Sequence, residues 1–373
     1  MFTELKPEDY HKAMPLFRAV DYSLSLPATF TGNNPGRVFV DDPQNPKVAF
    51  VLTIEGYFLA GDPNDAHSVE TIGHFFREKI FTGEIYLDDD TNLSLAVTPS
   101  NWEDKLLEMI PTHEIEKVPR FQYLCQKLKF DWRDQLPSGY QVCRFDQALR
   151  DDPTTVIPEA VHDWASTEIR WGSWENSTNQ GVSSCVLHQN KVVSICQSDC
   201  YYKDQIDMGI FTLPDYRRKG LAAVATAANV EAAFEKGFRK VGWHCNTDNI
   251  GSWKTAEKVG FKRHKEYCYY FFVFNQVDHL AELGWFYFKQ GQYQKTADYY
   301  ERVFSARENN PDYYYHLAAV AWAALENAEM SIQYLSAAVD HGWRSRDWTE
   351  QQELFSFLHN SPGWEAVPKR MGA

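Results

Sequence analysis

The 373-residue sequence lacks a long apolar run. An uninterrupted run such as Tyr267 to Phe274 spans only eight residues, whereas a helix crossing a bilayer needs about 20. Its first residues include Glu4, Lys6, Glu8 and Asp9, not the apolar stretch of an export signal. Any Cys-x-x-Cys pair is missing too. Seven cysteines, at 125, 143, 185, 196, 200, 245 and 268, form an odd set that fits reduced thiols in a cytoplasmic protein and argues against a zinc ribbon. No metal is expected. Basic charge is also short, with 37 Lys and Arg against 51 Asp and Glu, a net −14. Phosphate neutralisation needs clustered cations, so no nucleic-acid partner is expected. The acidity serves solubility first and suits an amine substrate second. With 44% hydrophobic, 15% aromatic and 24% charged residues, the composition is globular, and the length allows about two or three domains.

Three segments follow from the patterning. Residues 1–138 mix strands and helices: Arg37 to Asp42 and Lys47 to Ile54 read as a hairpin, Ser68 to Ile80 as a helix, Leu93 to Thr98 as a strand. Glu55 to Gly61 reads as a core strand or as a cleft lining. The run Asp88 to Asp90 has no nearby His and reads as a solvated turn. Residues 139–275 alternate between the two periodicities. Gly181 to His188 and Val192 to Cys196 form a hairpin. Ile206, Met208 and Ile210 share one face of a strand over 205–212. Leu221 to Lys236 is an Ala-rich helix stopped by Gly237. Lys240 to Asn246 is a strand, Asn249 to Val259 a helix ended by Gly260, and 267–274 a buried strand. Residues 276–373 are helical. A shift of 34 brings Leu283 onto Leu317, Gly284 onto Ala318 and Tyr300 onto Tyr334. This period resembles the tetratricopeptide repeat, strongly in the first unit and less in the second, where Leu325 and Asn327 replace Gly291 and Tyr293. Two such units cannot bury their faces alone, so the Trp-rich tail (Trp343, Trp348, Trp364) is expected to cap them.

The chemistry concentrates in Pro214-Asp-Tyr-Arg-Arg-Lys-Gly-Leu-Ala222, which follows a strand and opens a helix. Unpaired amides and the helix dipole make such a junction an anion site. Gly220 lets the backbone approach, Ala222 keeps the first turn small, and Arg217, Arg218 and Lys219 add cations. The alternative is an ordinary strand-to-helix turn with a solvated basic patch.

Arg217-x-x-Gly220-x-Ala222, then Asn249-x-x-Ser252 and Gly260-Phe261 after an intervening strand, resembles the acyl-CoA-binding core of the GNAT N-acetyltransferases. Trp243-His-Cys-Asn246 before Asn249 points to a bacterial-type subgroup. The resemblance covers about residues 140–275. It implies an α/β GNAT fold, in tandem with a degenerate GNAT-like or another α/β lobe in residues 1–138 that lacks the loop, beside the all-α tetratricopeptide-like C-terminal domain read from the 34-residue period. It also implies acetyl-CoA as co-substrate, with its pyrophosphate on the backbone of Arg217, Arg218, Lys219, Gly220, Leu221 and Ala222. An amide between Gly209 and Phe211 would polarise the thioester carbonyl, and Asn249 and Ser252 would face the pantetheine or the sulfur, although Asn249 also suits a helix N-cap. Many family members carry a Tyr seven residues after the Asn; Ala256 stands there, so no general acid is assigned. For the base, Asp207 comes first, then Glu168 and Glu175. His244 and Cys245 read as structural. The expected activity is acetyl transfer to a primary amine, on a small molecule or a peptide, by direct attack on the thioester. The competing reading is a non-catalytic acyl-CoA-binding module whose helices hold a protein partner.

Overall fold

A computed structural model describes residues 2–87, 91–166 and 168–371, without the side chains of Glu168 and Ile169. The Asp88–Asp90 run lies outside the described residues. Two compact units divide the chain, Met1–Phe271 and Phe272–Ala373. Among the described residues no helix is long and apolar enough to cross a membrane.

The first unit is built on a twelve-stranded sheet. In its N-terminal half run β1 (Thr3–Glu4), β2 (Gly36–Val40), β3 (Ala49–Thr53), β4 (Gly56–Ala60), helix α1 (Ala66–Phe75), β5 (Asn92–Thr98) and β6 (Glu116–Cys125). There follow β7 (Tyr140–Arg144), β8 (Ser183–His188), β9 (Lys191–Tyr202), β10 (Gln205–Thr212), helix α2 (Leu221–Glu235), β11 (Lys240–Asn246), helix α3 (Ile250–Val259) and β12 (Lys262–Val273). The hairpin read from residues 37–54 forms as β2 and β3, with Val38 opposite Val51. That at 181–196 forms as β8 and β9 around Gln189 and Asn190, whose φ angles of 51° and 61° give the turn a hand that matches strand twist. Helix α2 is buried along most of its length, because its alanines allow close approach to the sheet. Gly237, at φ 105°, ends it.

The strand order is β1-β2-β3-β4-β5-β12-β6-β11-β10-β9-β8-β7. The two halves are interleaved. Strand β6, from the first 138 residues, pairs antiparallel with β11, placing Gln122 opposite His244 and Arg120 opposite Asn246. It also pairs with β12, Tyr267 opposite Arg120. Strand β12 in turn lies next to β5. A single sheet therefore crosses the connector near residue 138.

Each half contains one parallel pair of neighbours. In the first, β4 and β5 stay paired from Tyr57–Leu95 to Ala60–Thr98. In the second, the β10–β11 register runs only from Gln205–Lys240 to Asp207–Gly242, although both strands continue. The sheet opens there.

The second unit comprises α4 (Gln276–Lys289), α5 (Tyr293–Ala306), α6 (Asp312–Ala324), α7 (Ala328–Asp340) and short C-terminal helices. Asn275 caps α4 by accepting from the amides of Val277 and Asp278, and Asn327 caps α7. A Cβ on Gly284 would lie 3.1 Å from the Tyr300 ring, so the missing side chain sets how closely α4 and α5 pack. Trp364 is buried with Phe355 and Val367.

Candidate active site

The loop after β10 makes one 3-10 turn over Pro214–Tyr216 and an extended step at Arg217 before α2 begins. Arg218 and Gly220 lie in the left-handed region, at φ 61° and 79°. Alternation of this kind turns successive amides towards one side, a concavity suited to an anion. The amides of Leu221, Ala222 and Ala223 begin the helix and have no intrahelical acceptor by geometry; Val224 is the first to reach back, donating to Gly220 O at 3.2 Å. The N-terminus opens on a cleft of about 660 Å³. Arg217, Arg218, Gly220, Leu221 and Ala222 form one wall and Phe211, at the end of β10, another. Asn249, Ser252, Lys254 and Lys258 complete it from the α3 side. Lys219 instead lies over the Tyr216 ring at 4.9 Å and does not line the cleft.

Asn249 is the α3 N-cap, its side chain accepting from Ser252 N at 3.1 Å. Ser252 Oγ accepts from Trp243 Nε1 at 3.0 Å, which ties α3 to β11. Ala256 is fully buried in the core and does not line the cleft, so this position offers no proton donor. The equivalent junction in the first half differs chemically. There Asp65 caps α1 with its own carboxylate, which accepts from Ser68 N at 3.2 Å, and Asp62 stands three residues earlier. An acidic, self-capped helix start repels an anion.

Where β10 and β11 part, a second cavity of about 200 Å³ opens. Asp207 is buried there at 1% exposure, facing Gly242. A Cβ on Gly242 would fall 1.8 Å from Asp207 Oδ1, so glycine is what admits the carboxylate. His244 Nε2 lies 3.4 Å from Asp207 Oδ2, and its Nδ1 is 2.8 Å from the Tyr267 hydroxyl. Neither Asp207 oxygen has a hydrogen-bond partner among the described residues. Across the cavity stands Glu55, at the tip of the β3–β4 turn, where its amide donates to Thr53 Oγ1. Burial, with Asp207 and Asp199 adding to it against the pull of His244 and Arg120, pushes the Glu55 carboxyl up to about 7. Asp199 is raised to about 6 by burial, although Arg170, 3.2 Å away, opposes the rise. Tyr267 and Tyr269 are pushed up by burial. Burial pulls Arg120 down, but the two tyrosines and Glu55 outweigh it.

A third cavity of about 300 Å³ shares Ile54, Glu55 and Arg170 with this one and adds Asn92, Ser94 and Asp163. Glu55, Cys200 and Asp207 each offer a donor atom within 4.8 Å of the others', but burial holds the Cys200 thiol well above its ordinary pKa, which disfavours a metal-binding thiolate. Burial likewise raises Cys245, so it is no activated nucleophile.

The structure thus brings Asp207 to the opening of the sheet, beside His244. Glu175 it leaves exposed on the helix Trp174–Gln180, lining none of these cavities. Glu168 opens the short helix Glu168–Trp171, and its side chain lies outside the described residues. Sequence reasoning offered Glu55 within a candidate cleft lining but did not group it with Asp199, Arg120 and Tyr267. The one local signal was a carboxylate, Glu55, between two strongly apolar strands.

The GNAT acetyltransferase family profile matches residues 14–270. An uncharacterized N-acetyltransferase, YdfB, of Bacillus subtilis (strain 168) is 29% identical over 238 residues, covering 64% of this chain and 85% of that protein. A GCN5-related N-acetyltransferase-like protein from Streptococcus suis 89/1591 superimposes with a TM-score of 0.52 at 25% identity, over 70% of this chain and 98% of its own. The chain belongs to the GNAT acetyltransferase family, and it is an acetyltransferase of that family.

Proposed function

We propose that the protein transfers the acetyl group of acetyl-CoA to a primary amine by direct attack on the thioester. One observation carries this reading: the β10–β11 pair parts after Asp207 and Gly242, between a cleft flanked by Arg217 and Arg218 and a cavity rich in carboxylates. The helix start and the two arginines bind the pyrophosphate. The pantetheine arm enters the opening, and a β10 amide between Gly209 and Phe211 donates to the carbonyl oxygen as it gains charge.

The acceptor ammonium approaches from the opposite side, through the cavity lined by Asn92, Ser94 and Asp163. Glu55 takes its proton. The freed lone pair attacks the carbonyl carbon; as the C–S bond breaks, the nitrogen gives a second proton to solvent and the departing CoA thiolate takes one from it, leaving the amide and the CoA thiol, and Glu55 later returns its own proton to solvent. A base whose pKa lies near the working pH combines availability with driving force, and Glu55 near 7 meets that condition. Burial, with a smaller contribution from Asp207 and Asp199, keeps Glu55 there, and the two aspartates attract the ammonium. Holding donor and acceptor on either side of one opening supplies much of the acceleration.

A thiol-release assay with acetyl-CoA and a panel of primary amines tests this. Amine-dependent release of CoA is expected with at least one basic amine. Release that no amine stimulates, together with intact acetyl-CoA binding, favours the non-catalytic reading.

A further inference from the structure

The helical unit contains a cavity of about 570 Å³ that this reaction does not use. Its walls are aromatic: Trp285 from α4, Tyr313 and Tyr314 from α6, Trp343 beyond α7, and Trp348 in the helix Arg346–Gln351. Trp285, Tyr313 and Trp348 remain 38%, 47% and 47% exposed. Three large rings left in solvent around one cavity form a mouth rather than a sealed core.

Among the described residues, two polar atoms inside have no hydrogen-bond partner, Tyr300 Oη and His316 Nε2. Both residues line the cavity, at 0% and 2% exposure. Buried groups of this kind are normally satisfied, so their vacancy points to something that enters. Burial lowers His316 to about 3, and it stacks on Trp343 at 4.1 Å; it is neutral and brings no positive charge. Among the described residues no Lys or Arg lines the cavity, although Lys289 lies over the Trp285 ring at 5.9 Å, and one carboxylate does line it, Glu282. Burial raises the Glu282 carboxyl, with Lys289 opposing.

We propose that this cavity binds a small organic cation with an alkylated ammonium head, held against the aromatic faces and beside Glu282. Aromatic faces carry negative potential and attract a cation, most strongly when it is desolvated. A bare ammonium demands three hydrogen-bond acceptors, which ring faces do not offer; alkyl groups remove that demand and fill apolar space. An anion would meet the Glu282 carboxylate, and a purely apolar guest would leave that carboxylate without a counter-charge.

Calorimetry on the full chain, without acetyl-CoA, compares choline with its uncharged carbon isostere, 3,3-dimethylbutan-1-ol. Saturable choline binding with a Kd below about 1 mM is expected, at least about 10-fold tighter than the isostere, and weakened about 10-fold by Trp348→Ala or Glu282→Gln. Trp348 lies on the exposed rim, so its variant keeps the test open should Glu282→Gln fold poorly; thermal melts verify folding. Equal affinity for the two probes, absence of choline binding, or binding indifferent to Trp348→Ala overturns the assignment. None of these readouts depends on acetyl transfer.

Discussion

Replacing Glu55 by Gln separates the catalytic contribution of this carboxylate from its cost to the fold. Its pKa rises from 4.5 to about 7 on folding. The folded state therefore holds the proton more tightly than the unfolded chain. Between pH 4.5 and about 7 the unfolded chain has lost that proton while the native protein retains it, so native stability falls as pH rises through this window. At 1.36 kcal/mol per decade the full effect is about 3 kcal/mol, and about 2 kcal/mol once screening by water around the half-buried group is allowed for. Glu55→Gln cannot ionise. Above pH 7 it should be more stable than the parent by about 2 kcal/mol, and near pH 4.5 the difference should vanish. Activity should move the opposite way, with kcat/KM falling about 10²–10⁴-fold and the rise in rate with an inflection near pH 7 disappearing. Denaturant melts at several pH values and a pH–rate profile measure both. A variant that is fully active, or a parent whose profile has no inflection between about pH 6 and 8, refutes Glu55 as the base. Loss of activity with no gain in stability at pH 8 refutes the strained-carboxylate picture.

Gly242→Ala should displace the Asp207 carboxylate, because the added methyl falls where Oδ1 now lies; the expected outcome is a loss of about 1–3 kcal/mol in stability and a marked fall in kcat with little change in acetyl-CoA affinity. Arg170 borders both acceptor-side cavities, so Arg170→Ala should raise KM for the amine while leaving KM for acetyl-CoA within about 3-fold, a difference under about 1 kcal/mol. Dialysis against a chelator should leave turnover unchanged, since no proposed step draws on a metal despite the proximity of Glu55, Cys200 and Asp207; loss of activity restored by a divalent ion would contradict this.

The parts legible in the sequence are those whose cause is local. The loop from Pro214 to Ala222 declares itself through Gly220, whose positive φ and place before an Ala-rich helix are both short-range properties. The hairpins and α2 follow from alternation and turn residues. Strand β6 was not legible: Glu116, Lys117, Pro119 and Arg120 interrupt its apolar pattern, and the partners that make it a strand, β11 and β12, come from the far half of the sheet. The buried strand read from residue 267 begins at Lys262, because pairing with β6, not hydrophobicity, defines its first residues. Glu55 meets Asp207 and His244 only through that interleaving, so spacing along the chain carries no trace of it. Asp207 stands out in the sequence because it alternates with the core residues Ile206 and Met208. Glu175 is a second-rank candidate from the stretch before the hairpin at 181–196, and the helix Trp174–Gln180 leaves it exposed.

The most direct measurement is a calorimetric titration of the full chain with acetyl-CoA, beside the same titration of Gly220→Glu. One site per chain is predicted, since the Asp65-capped junction offers no second, and in the variant the affinity should drop at least about 100-fold, or about 2.7 kcal/mol, without loss of the folded state. Two sites, or a variant that binds as tightly as the parent, would contradict the assignment of this helix start to the pyrophosphate.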